Sequence, residues 1–337
     1  MNNNLADGKS NTTKLELIQI SDDIQWDSLL RKSRQYSIYL TSEFLNWTDL
    51  REYRYILFEN GIPLIGCLLP PKTIKGLYAF SYCMYQGIFF IENLKNSYSD
   101  DLERTNRLSK LTSLLANLQK NFTLPLHHSI NDIRGVEWYL FEKSIGVSVK
   151  SKVRYTGIVR LKDFSDFEDY KNSIQYRRHR ELANTHREDR VNMNPTPDVS
   201  MFLDMYIQMF TQRGIEVSES ESQRVSAIIE NGASSGAGKL LILQENDGTP
   251  VSAVFILTDG VTDYYQFGAS NPERLKMNGS SYLILYAIEM AFMNGRKYFD
   301  MVGMNSPNRG DYKASFNARV TPYFEIEFFE NSDGKKF

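Results

Sequence analysis

The stretch that most constrains the fold runs from residue 261 to residue 303 and reads VTDYYQFGASNPERLKMNGSSYLILYAIEMAFMNGRKYFDMVG. It begins with a short aromatic run from Thr262 to Gly268 and continues through a polar loop into a long apolar segment. A second short run, Tyr298 to Val302, closes the stretch. The order and lengths of these runs predict a strand, a loop, a buried helix and a second strand.

The loop before this helix comprises Lys276 to Ser281. Ser280 is predicted to be the N-cap, because its hydroxyl can accept a hydrogen bond from a backbone N–H two or three residues further on. With Gly279 just ahead, the helix start presents free N–H groups and the positive end of the helix dipole, an arrangement that binds phosphate. The alternative is an ordinary capped loop, since a glycine and a serine at a helix start are common.

The order of the whole unit resembles the acyl-CoA-binding core of the GNAT superfamily of N-acyltransferases. The loop in that superfamily usually reads Gln or Arg, two residues, Gly, one residue, and then Gly or Ala. Here Lys276, Gly279 and Ser281 stand at those places. The helix that ends in AFMNG and the following strand with its central Asp fit the same order. The resemblance implies that acyl-CoA binds at this loop.

Length and charge indicate a globular protein of two domains. The 337 residues are 42% hydrophobic and 24% charged, and the length exceeds the usual size of one domain. The net charge is −2 and the pI is about 6.2. These values exclude an overall basic surface that would collect nucleic acid or an anionic membrane.

Signals for targeting, membrane insertion and metal binding are missing from the sequence pattern. Residues 1–13 are polar and lack the apolar core of a secretion signal. No later run reaches the roughly 18 apolar residues of a membrane span, so a cytoplasmic location is predicted. Cys67 and Cys83 lack the spacing of a redox motif or a disulfide framework and are predicted to be buried, reduced thiols. No metal is expected, because metal-ligand spacing is missing from the four histidines, His127, His128, His179 and His186.

A first domain is predicted over residues 14–161. Its expected elements are helices at 24–34 and 42–47, a hairpin of strands 53–58 and 62–69, an extended run at 77–91, a helix at 99–121 and a strand pair at 123–128 and 147–161. The turn at Asn60 and Gly61 has the residues that a tight hairpin requires. The second half of the chain has the same order of hairpin, strand, helix and strand. The first half differs from it in lacking a phosphate loop.

A second domain is predicted over residues 162–337. Its expected elements before the central stretch are a helix at 163–190, a linker at 191–198, helices at 199–212 and 220–231, a glycine-rich loop at 232–238 and a hairpin of strands 240–243 and 251–257. A strand at 318–329 and a disordered tail at 331–337 are expected after it. The helix at 163–190 has arginines that suit a phosphate or a cofactor nucleotide, although mixed charge on a helix is also typical of a solvated face. These arginines are Arg177, Arg178, Arg180, Arg187 and Arg190.

Several short segments narrow the resemblance to a subgroup. The segments YLTSEFLNW, MYQGIFF, NDIRGVEWYLF, YTGIVRL, YRRHRELANTH and GDYKASFNA resemble the tandem-GNAT group that includes the Fem-type peptidoglycan aminoacyltransferases. The resemblance covers most of the chain from about residue 35. It implies an α+β fold of two tandem GNAT-like domains, each a mixed, mostly antiparallel sheet flanked by helices, of which the second binds acyl-CoA.

The chemistry that the resemblance implies is attack of a neutral amine on the thioester of acyl-CoA. The pyrophosphate would lie on the loop at Lys276 to Ser281, and the thioester carbonyl would face a backbone N–H of the strand Tyr264 to Gly268. An amine with a pKa of about 7.7–8.0 is already partly neutral at pH 7, so a strong general base is unnecessary. The implied cofactor-binding residues are Tyr265, Gln266, Phe267, Lys276, Asn278, Gly279, Ser280, Ser281, Asn305 and Lys313.

Polar residues near strand ends are the candidates for proton transfer. Tyr312 is the foremost, because many GNAT enzymes place a tyrosine after the second core strand to protonate the departing thiolate. The other candidates are Asp132, Tyr85, Gln86, Asp263 and Gln266. The alternative for each of them is that it satisfies backbone groups at a strand edge or a turn.

Three functions remain open at this stage. The first is acylation of an amino sugar, carried on a nucleotide such as dTDP, for a surface polysaccharide such as O-antigen or capsule; the 20 tyrosines and 20 phenylalanines suit stacking on a base and a sugar. The second is a Fem-like transfer from aminoacyl-tRNA to a peptidoglycan precursor, against which the near-neutral charge and the lack of a coiled-coil insertion argue. The third is a non-catalytic binding module, since one half lacks a phosphate loop.

Overall fold

A computed structural model describes residues 14–91, 98–118, 121–142, 147–186, 191–194 and 198–330. Helices pack against two sheets and a short ribbon, which confirms the predicted α+β class. The helices are α1 (Asp23–Leu30), α2 (Ser42–Trp47), α3 (Tyr98–Asn117), α4 (Arg134–Glu142), α5 (Phe167–Ser173), α6 (Tyr176–His186), α7 (Val199–Thr211), α8 (Glu219–Ser235), α9 (Gly279–Met293) and α10 (Pro307–Ala314). Among the described helices, none is long and apolar enough to cross a membrane.

The strands fall into three groups. The four-stranded antiparallel sheet has the order β1-β2-β3-β6, and β4 and β5 form a separate ribbon. These strands are β1 (Leu15–Gln19), β2 (Arg54–Glu59), β3 (Ile62–Leu68), β4 (Thr73–Ile74), β5 (Leu77–Tyr78) and β6 (Ile88–Phe90). The eight-stranded sheet comprises β7 (Phe122–Pro125), β8 (Val147–Val159), β9 (Val191–Asn194), β10 (Gly238–Glu245), β11 (Pro250–Thr258), β12 (Thr262–Ser270), β13 (Tyr298–Asp300) and β14 (Arg319–Glu330).

The eight-stranded sheet joins the two halves of the chain. Its order is β7-β14-β8-β13-β12-β11-β10-β9, and only the pair of β12 and β13 is parallel within the described residues. The predicted pairing of β7 with β8 is wrong, because β14 lies between them and bonds to both. Ile326 and Phe328 of β14 enter the same apolar core as Leu108 and Leu111 of α3, which holds the strand there. The domain boundary at residue 161 therefore remains a prediction.

Both predicted hairpins are confirmed. The turn between β2 and β3 has Asn60 at φ 51° and Gly61 at φ 82°, the left-handed backbone that a two-residue hairpin turn needs. The turn between β10 and β11 ends at Gly248, with φ 88°. In both cases a side chain larger than Asn is disfavoured, so the local sequence was sufficient to predict the turn.

The predicted helix at 163–190 is two helices instead. Ile174 separates α5 from α6 in an extended conformation, and its side chain is buried against the core around α9. The N–H of Gln175 then donates to the carbonyl of Ser315 at 3.1 Å, which stops α5 from continuing. Residues 187–190, with Arg187 and Arg190, lie outside the described residues.

Two segments that were predicted as irregular have regular structure. Residues 191–194 of the predicted linker form β9, which pairs with β10, while residues 195–197 lie outside the described residues. The predicted loop at 232–238 is wrong over its first four residues, because α8 continues to Ser235 and ends at the left-handed Gly236. A Cβ on Gly232 would lie 2.9 Å from the Phe255 ring, so this glycine lets the helix pack closely on β11. The predicted tail at 331–337 lies outside the described residues.

The apolar helix predicted in the central stretch is α9, and it lies in the core of the second half. Leu283, Ile284, Leu285, Ala287 and Ile288 are all buried, so apolar side chains point to almost every side of the helix. One such face packs on β11 and β12. The buried helix fixes the position of its own first turn relative to β12, and this turn forms one end of the candidate site.

Candidate active site

The candidate site is a cleft that opens where two parallel strands diverge. β12 and β13 pair only over Thr262–Tyr264 and Tyr298–Asp300, after which β13 ends and β12 continues to Ser270. The cleft has a volume of about 570 Å³ and is bordered by β12, α7, α10 and the first turn of α9. Residues 265–268 of β12 form its floor. The divergence leaves this edge of β12 without a paired strand in the described part of the chain.

The backbone is irregular at the inner end of the cleft. Gln266 is a bulge residue, because Tyr265 and Phe267 have partners on β11 and Gln266 has none. Val302 has φ 56° and Tyr82 has φ 64°, which are unusual for residues with bulky side chains. Such backbone features cost about 1–3 kcal/mol each and cluster at functional sites. All three residues line the cleft.

The first half of the chain holds the bulge in place. The Tyr39 hydroxyl donates to Oε1 of Gln266 at 2.6 Å, and Nε2 of Gln266 donates to the carbonyl of Tyr82 at 2.5 Å. Both ends of the Gln266 amide are therefore bonded to residues that lie more than 180 positions earlier in the chain. The geometry of β12 at the cleft thus depends on both halves of the molecule.

The start of α9 differs from the prediction. The N-cap is Asn278, with φ 54°, and not Ser280, whose hydroxyl lies 2.6 Å from that of Ser270. Gly279 is the first helical residue and does not have a positive φ. A Cβ there would lie 2.8 Å from Oγ of Ser252, so Gly279 is required for close packing. No backbone acceptor contacts the N–H groups of Gly279 and Ser280 within the described chain, so both can bind an anion.

A buried polar cluster lies beside this first turn. Nη1 of Arg178 donates to Oγ of Ser281 at 2.7 Å and also pairs with Glu181. The Ser281 hydroxyl donates to the Glu181 carboxylate at 2.7 Å and lies 3.2 Å from the hydroxyl of Tyr312. The guanidinium of Arg178 also lies over the ring of Tyr312, 4.7 Å from its centroid. Helix α6, the start of α9 and α10 are thereby joined at the wall of the cleft.

The lining of the cleft is basic. Its cations outnumber its carboxylates, since only Glu181 is acidic among the lining residues. These cations are Arg177, Arg178, Arg213, Arg309 and Lys313. Arg213, which follows α7, and Arg309 on α10 both have exposed side chains that line the cleft. The arrangement attracts a ligand with several negative charges.

Lys313 lies between β12 and the segment after β13. Its Nζ donates to the carbonyls of Val302 and Gly303, both at 3.0 Å, and lies 5.3 Å from the centroid of the Tyr265 ring. Burial lowers the pKa of Lys313 to about 8. Burial likewise raises the pKa of Tyr312 to about 12, so this phenol keeps its proton at neutral pH. Both groups can donate or accept a proton inside the cleft.

The cleft brings together most of the residues that were predicted to bind the cofactor. Those that line it are Tyr265, Gln266, Phe267, Asn278, Gly279, Ser280, Ser281 and Lys313, together with Tyr312. Lys276 and Asn305 are not among the lining residues. Lys276 is exposed on the turn before α9, and Asn305 bonds to the backbone of Tyr155, with its Oδ1 accepting from the N–H at 2.9 Å.

The structure places the other catalytic candidates away from the cleft. Asp132 bonds to Arg134 and Thr105 at the start of α4. The Tyr85 hydroxyl is buried and donates to Asp300 at 2.8 Å. Gln86 is buried and donates to the carbonyl of Tyr39 at 2.5 Å. Asp263 pairs with Arg296 at 3.0 Å near the start of β12 and does not line the cleft. Gln86 thus bonds to a backbone carbonyl, as in the alternative, whereas Tyr85 and Asp263 bond to charged side chains.

Several lining residues were not predicted as site residues. Tyr82 comes from the first half of the chain, while Tyr206, Phe210 and Arg213 belong to α7 or follow it. Arg178 and Glu181 were recognised only as part of a charged helix. Their spacing of three residues was the available signal, because such a pair lies on one helix face. The side chains of Arg178 and Glu181 are only 4% and 9% exposed, which distinguishes them from residues of a solvated helix face. This burial was not predictable from the spacing, because it depends on tertiary packing.

The two cysteines and the adjacent histidines, His127 and His128, lie outside the lining of the cleft. Cys67 and Cys83 are both free and buried, as predicted. No group of three or more His, Cys, Asp or Glu side chains in the described ranges is arranged to hold a metal ion. The rings of His127 and His128 are tilted by 34° to each other, with centroids 4.1 Å apart.

Comparison with known proteins identifies the part of the chain that carries this site. Residues 171–314 match the family Acetyltransf_6, described as an acetyltransferase (GNAT) domain. This range includes α6, β12, α9 and α10, which supply the cleft. In the comparison with curated proteins, no sequence matches this chain.

Solved structures with similar folds extend over almost the whole chain. FemX has a TM-score of 0.64 at 13% identity, and the match covers 93% of this chain and 96% of FemX. L-PGS from Bacillus licheniformis has a TM-score of 0.51 at 9% identity, with 94% of both chains covered. A tandem GNAT protein from the clavulanic acid biosynthesis pathway has a TM-score of 0.50 at 8% identity, with 96% of this chain and 100% of that chain covered. At such identities the likeness shows the fold alone. Residues 171–314 therefore match a GNAT acetyltransferase domain, and the chain as a whole has a GNAT-like α+β fold.

Proposed function

We propose that the protein is an acyl-CoA-dependent N-acyltransferase that acylates the amino group of a nucleotide-linked amino sugar, such as a dTDP-linked one, for a surface polysaccharide. The observation that carries the proposal is the cleft that runs from the first turn of α9 along residues 265–268 of β12 to Val302. It combines an anion-binding helix start, a basic lining and an unpaired strand edge. These are the features that a diphosphate and a chain of amide groups require.

The residues of the cleft suit successive parts of acyl-CoA. The N–H groups of Gly279 and Ser280 would bind the diphosphate, with Arg213 and Arg309 neutralising its charge. The pantetheine amides would pair with the free edge of β12. The thioester would then lie near the bulge at Gln266, where a backbone N–H can stabilise the oxyanion of the tetrahedral intermediate.

The proposed reaction balances without a cofactor beyond the acyl donor. The lone pair of a neutral amine attacks the thioester carbonyl carbon, a C–N bond forms and the C–S bond breaks. The nitrogen loses one proton to solvent water, and the departing thiolate gains one from Tyr312, so that the products are an amide and the thiol of CoA. The phenol is reprotonated from solvent before the next cycle. The raised pKa of Tyr312 keeps the phenol protonated at neutral pH, so it has a proton to give when the thiolate departs.

The aromatic lining supports a substrate with flat or ring-shaped groups. Tyr82, Tyr206, Phe210 and Phe267 line the cleft near its inner end. Aromatic faces pack well on sugar rings and nucleobases, which agrees with an acceptor that contains both.

The test starts with binding of acetyl-CoA and CoA to the purified protein by isothermal titration calorimetry. We expect binding that Arg213→Ala and Arg309→Ala each weaken by about three- to tenfold, within the range for a charge-assisted hydrogen bond. Arg31→Ala is the matched control, because Arg31 is exposed at the end of α1 and does not line the cleft. No binding of either ligand would contradict the proposal.

Transfer to the acceptor is measured separately, by mass spectrometry of a dTDP-linked amino hexose after incubation with acyl-CoA. An acylated product supports the amino sugar as substrate. Steep salt-dependent binding of aminoacyl-tRNA, with transfer of the amino acid to a peptidoglycan precursor, would support the Fem-like alternative instead. Binding of acyl-CoA without transfer to any amine would favour the non-catalytic binding module.

A further inference from the structure

A second, smaller cavity meets the inner end of the cleft. It has a volume of about 270 Å³ and lies between β8, β14 and residues 78–84. Tyr82, Gln266 and Val302 line both this cavity and the cleft. These are the bulge residue and the two bulky residues with left-handed backbone, so the irregular backbone lies where the two spaces meet. A ligand group in the small cavity would therefore approach the same point as the inner end of a ligand in the cleft.

The small cavity contains one cation and one carboxylate that do not pair with each other. Arg154 and Glu325 are both half-buried and line it, and neither forms a salt bridge with any residue in the described ranges. Nε of Arg154 is buried and has no hydrogen-bond partner among the described residues. A buried polar atom without a partner is costly unless a ligand or water satisfies it.

The two charged groups share one face of the sheet. Arg154 on β8 lies directly opposite Tyr323 on β14, and Glu325 follows two residues later, so the three side chains point to the same side. Tyr78, Phe80 and Tyr82 form the facing wall. The cavity is thus aromatic, with balanced charge, and is too small for a nucleotide because ligand pockets usually measure about 300–1,000 Å³.

We propose that this cavity binds the amine-bearing sugar ring of the acceptor, with Glu325 bonded to the amine and Arg154 bonded to ring hydroxyls. This inference rests on the proposed function and adds the location of the acceptor. Aromatic walls suit the apolar faces of a pyranose, and the balanced charge suits a ring that carries an amine but no phosphate. The nucleotide stays outside the cavity. The amine enters the reaction in its neutral form, after it has lost a proton to solvent, and Glu325 accepts a hydrogen bond from it.

The test measures binding of small amines to the CoA-loaded full-length protein by saturation-transfer NMR. The probes are hexoses with an amine at C2, C3 or C4, their N-acetylated forms, and glycine and L-alanine. We expect millimolar binding of at least one amino hexose and at least tenfold weaker binding of its N-acetylated form. We also expect Glu325→Gln to weaken binding of the amino hexose at least tenfold without changing the affinity for CoA.

Glu327→Gln is the matched control, because Glu327 lies two residues further along β14, is also half-buried and does not line the cavity. It should leave binding of the amino hexose unchanged. Equal binding to the parent and to Glu325→Gln, no binding of any amino hexose, or a preference for the amino acids would each overturn the inference. Failure of the protein to bind CoA would instead contradict the proposed function, so the two failures are distinguishable.

Discussion

The buried side chains of Arg178 and Glu181 form an ion pair in which both residues also bond to the hydroxyl of Ser281, at 2.7 Å in each case. The pair connects α6 to the first turn of α9, where the proposed diphosphate site lies. It therefore stabilises the wall of the cleft and places a cation and a carboxylate together beside the helix N-terminus.

Removing the cation of this pair should be strongly destabilising. Arg178→Ala leaves the Glu181 carboxylate buried with Arg177 as its remaining cation, and we expect a loss of about 3–5 kcal/mol in the free energy of unfolding. The measurement is urea denaturation followed by circular dichroism. Arg177→Ala is the control, since that side chain is 69% exposed and pairs with the same carboxylate. Its cost should be about 1 kcal/mol or less, and equal losses in the two variants would contradict the prediction.

A side chain at Gly279 should affect both packing and the cofactor site. A Cβ would lie 2.8 Å from Oγ of Ser252 and 2.9 Å from Cγ1 of Val251, so β11 or α9 must shift. We expect Gly279→Val to lower the Tm and to raise the Km for acyl-CoA at least tenfold, about 1.4 kcal/mol. Gly232→Val controls for packing, because a Cβ there would lie 2.9 Å from the Phe255 ring and Gly232 does not line the cleft. A folded Gly279→Val protein with the parental affinity for acyl-CoA would refute the assignment of the diphosphate site.

The hydroxyl of Tyr312 can be tested without removing its ring. If it protonates the departing thiolate, Tyr312→Phe lowers kcat while the affinity for acyl-CoA changes little, since the role exists only in the transition state. Tyr286→Phe on α9 is the control, because Tyr286 does not line the cleft. Steady-state kinetics at saturating substrate and calorimetry with CoA give the two readouts. An unchanged kcat would remove Tyr312 from the mechanism, and weaker CoA binding with an unchanged kcat would assign it to the cofactor site.

Lys313 should make stability depend on pH in the alkaline range. Burial lowers its pKa to about 8 in the folded protein, whereas an unfolded chain has a lysine pKa of about 10.4. Between these values the unfolded chain binds a proton that the folded chain lacks, so this residue's contribution to the free energy of unfolding rises as pH rises from 8 to 10.4. The change is on the order of 3 kcal/mol.

Urea denaturation at pH 7.5 and pH 9.5 of the parent and Lys313→Met measures this effect. The stability of the parent relative to the variant should increase at the higher pH, because the variant has no proton to release at this position. A constant difference between the two proteins at both pH values would show that the ammonium of Lys313 has an ordinary pKa.

Local patterns were sufficient for the elements whose structure depends on nearby residues. The Asn60-Gly61 turn predicted one hairpin, because the left-handed conformation of those residues is set within the turn. The long apolar segment predicted α9, and a helix that is apolar on all sides is normally buried by other parts of the protein. The order of strand, loop, helix and strand then led to the GNAT resemblance, and eight of the ten cofactor-binding residues that it implied line the cleft.

Contacts between distant segments were not predictable from those patterns. β14 lies between β7 and β8 although neither is its neighbour in the chain, and the N-cap of α9 is Asn278 because Gly279 packs against Ser252. Ser280 has the chemistry of an N-cap, yet its hydroxyl lies within the first helical turn and contacts Ser270. The residue that caps a helix therefore depends on the tertiary packing that fixes where the helix begins.

The sequence by itself determined the α+β class, the two hairpins and the central helix with its loop, because these follow from side-chain periodicity and from the backbone preferences of Gly and Asn. Only the tertiary structure decided which polar groups meet. Arg178 reaches Ser281 across 103 positions of the chain, and Tyr39 reaches Gln266 across 227. Such pairs leave no periodic signal in the sequence, since their geometry is set by the packing of the core between them.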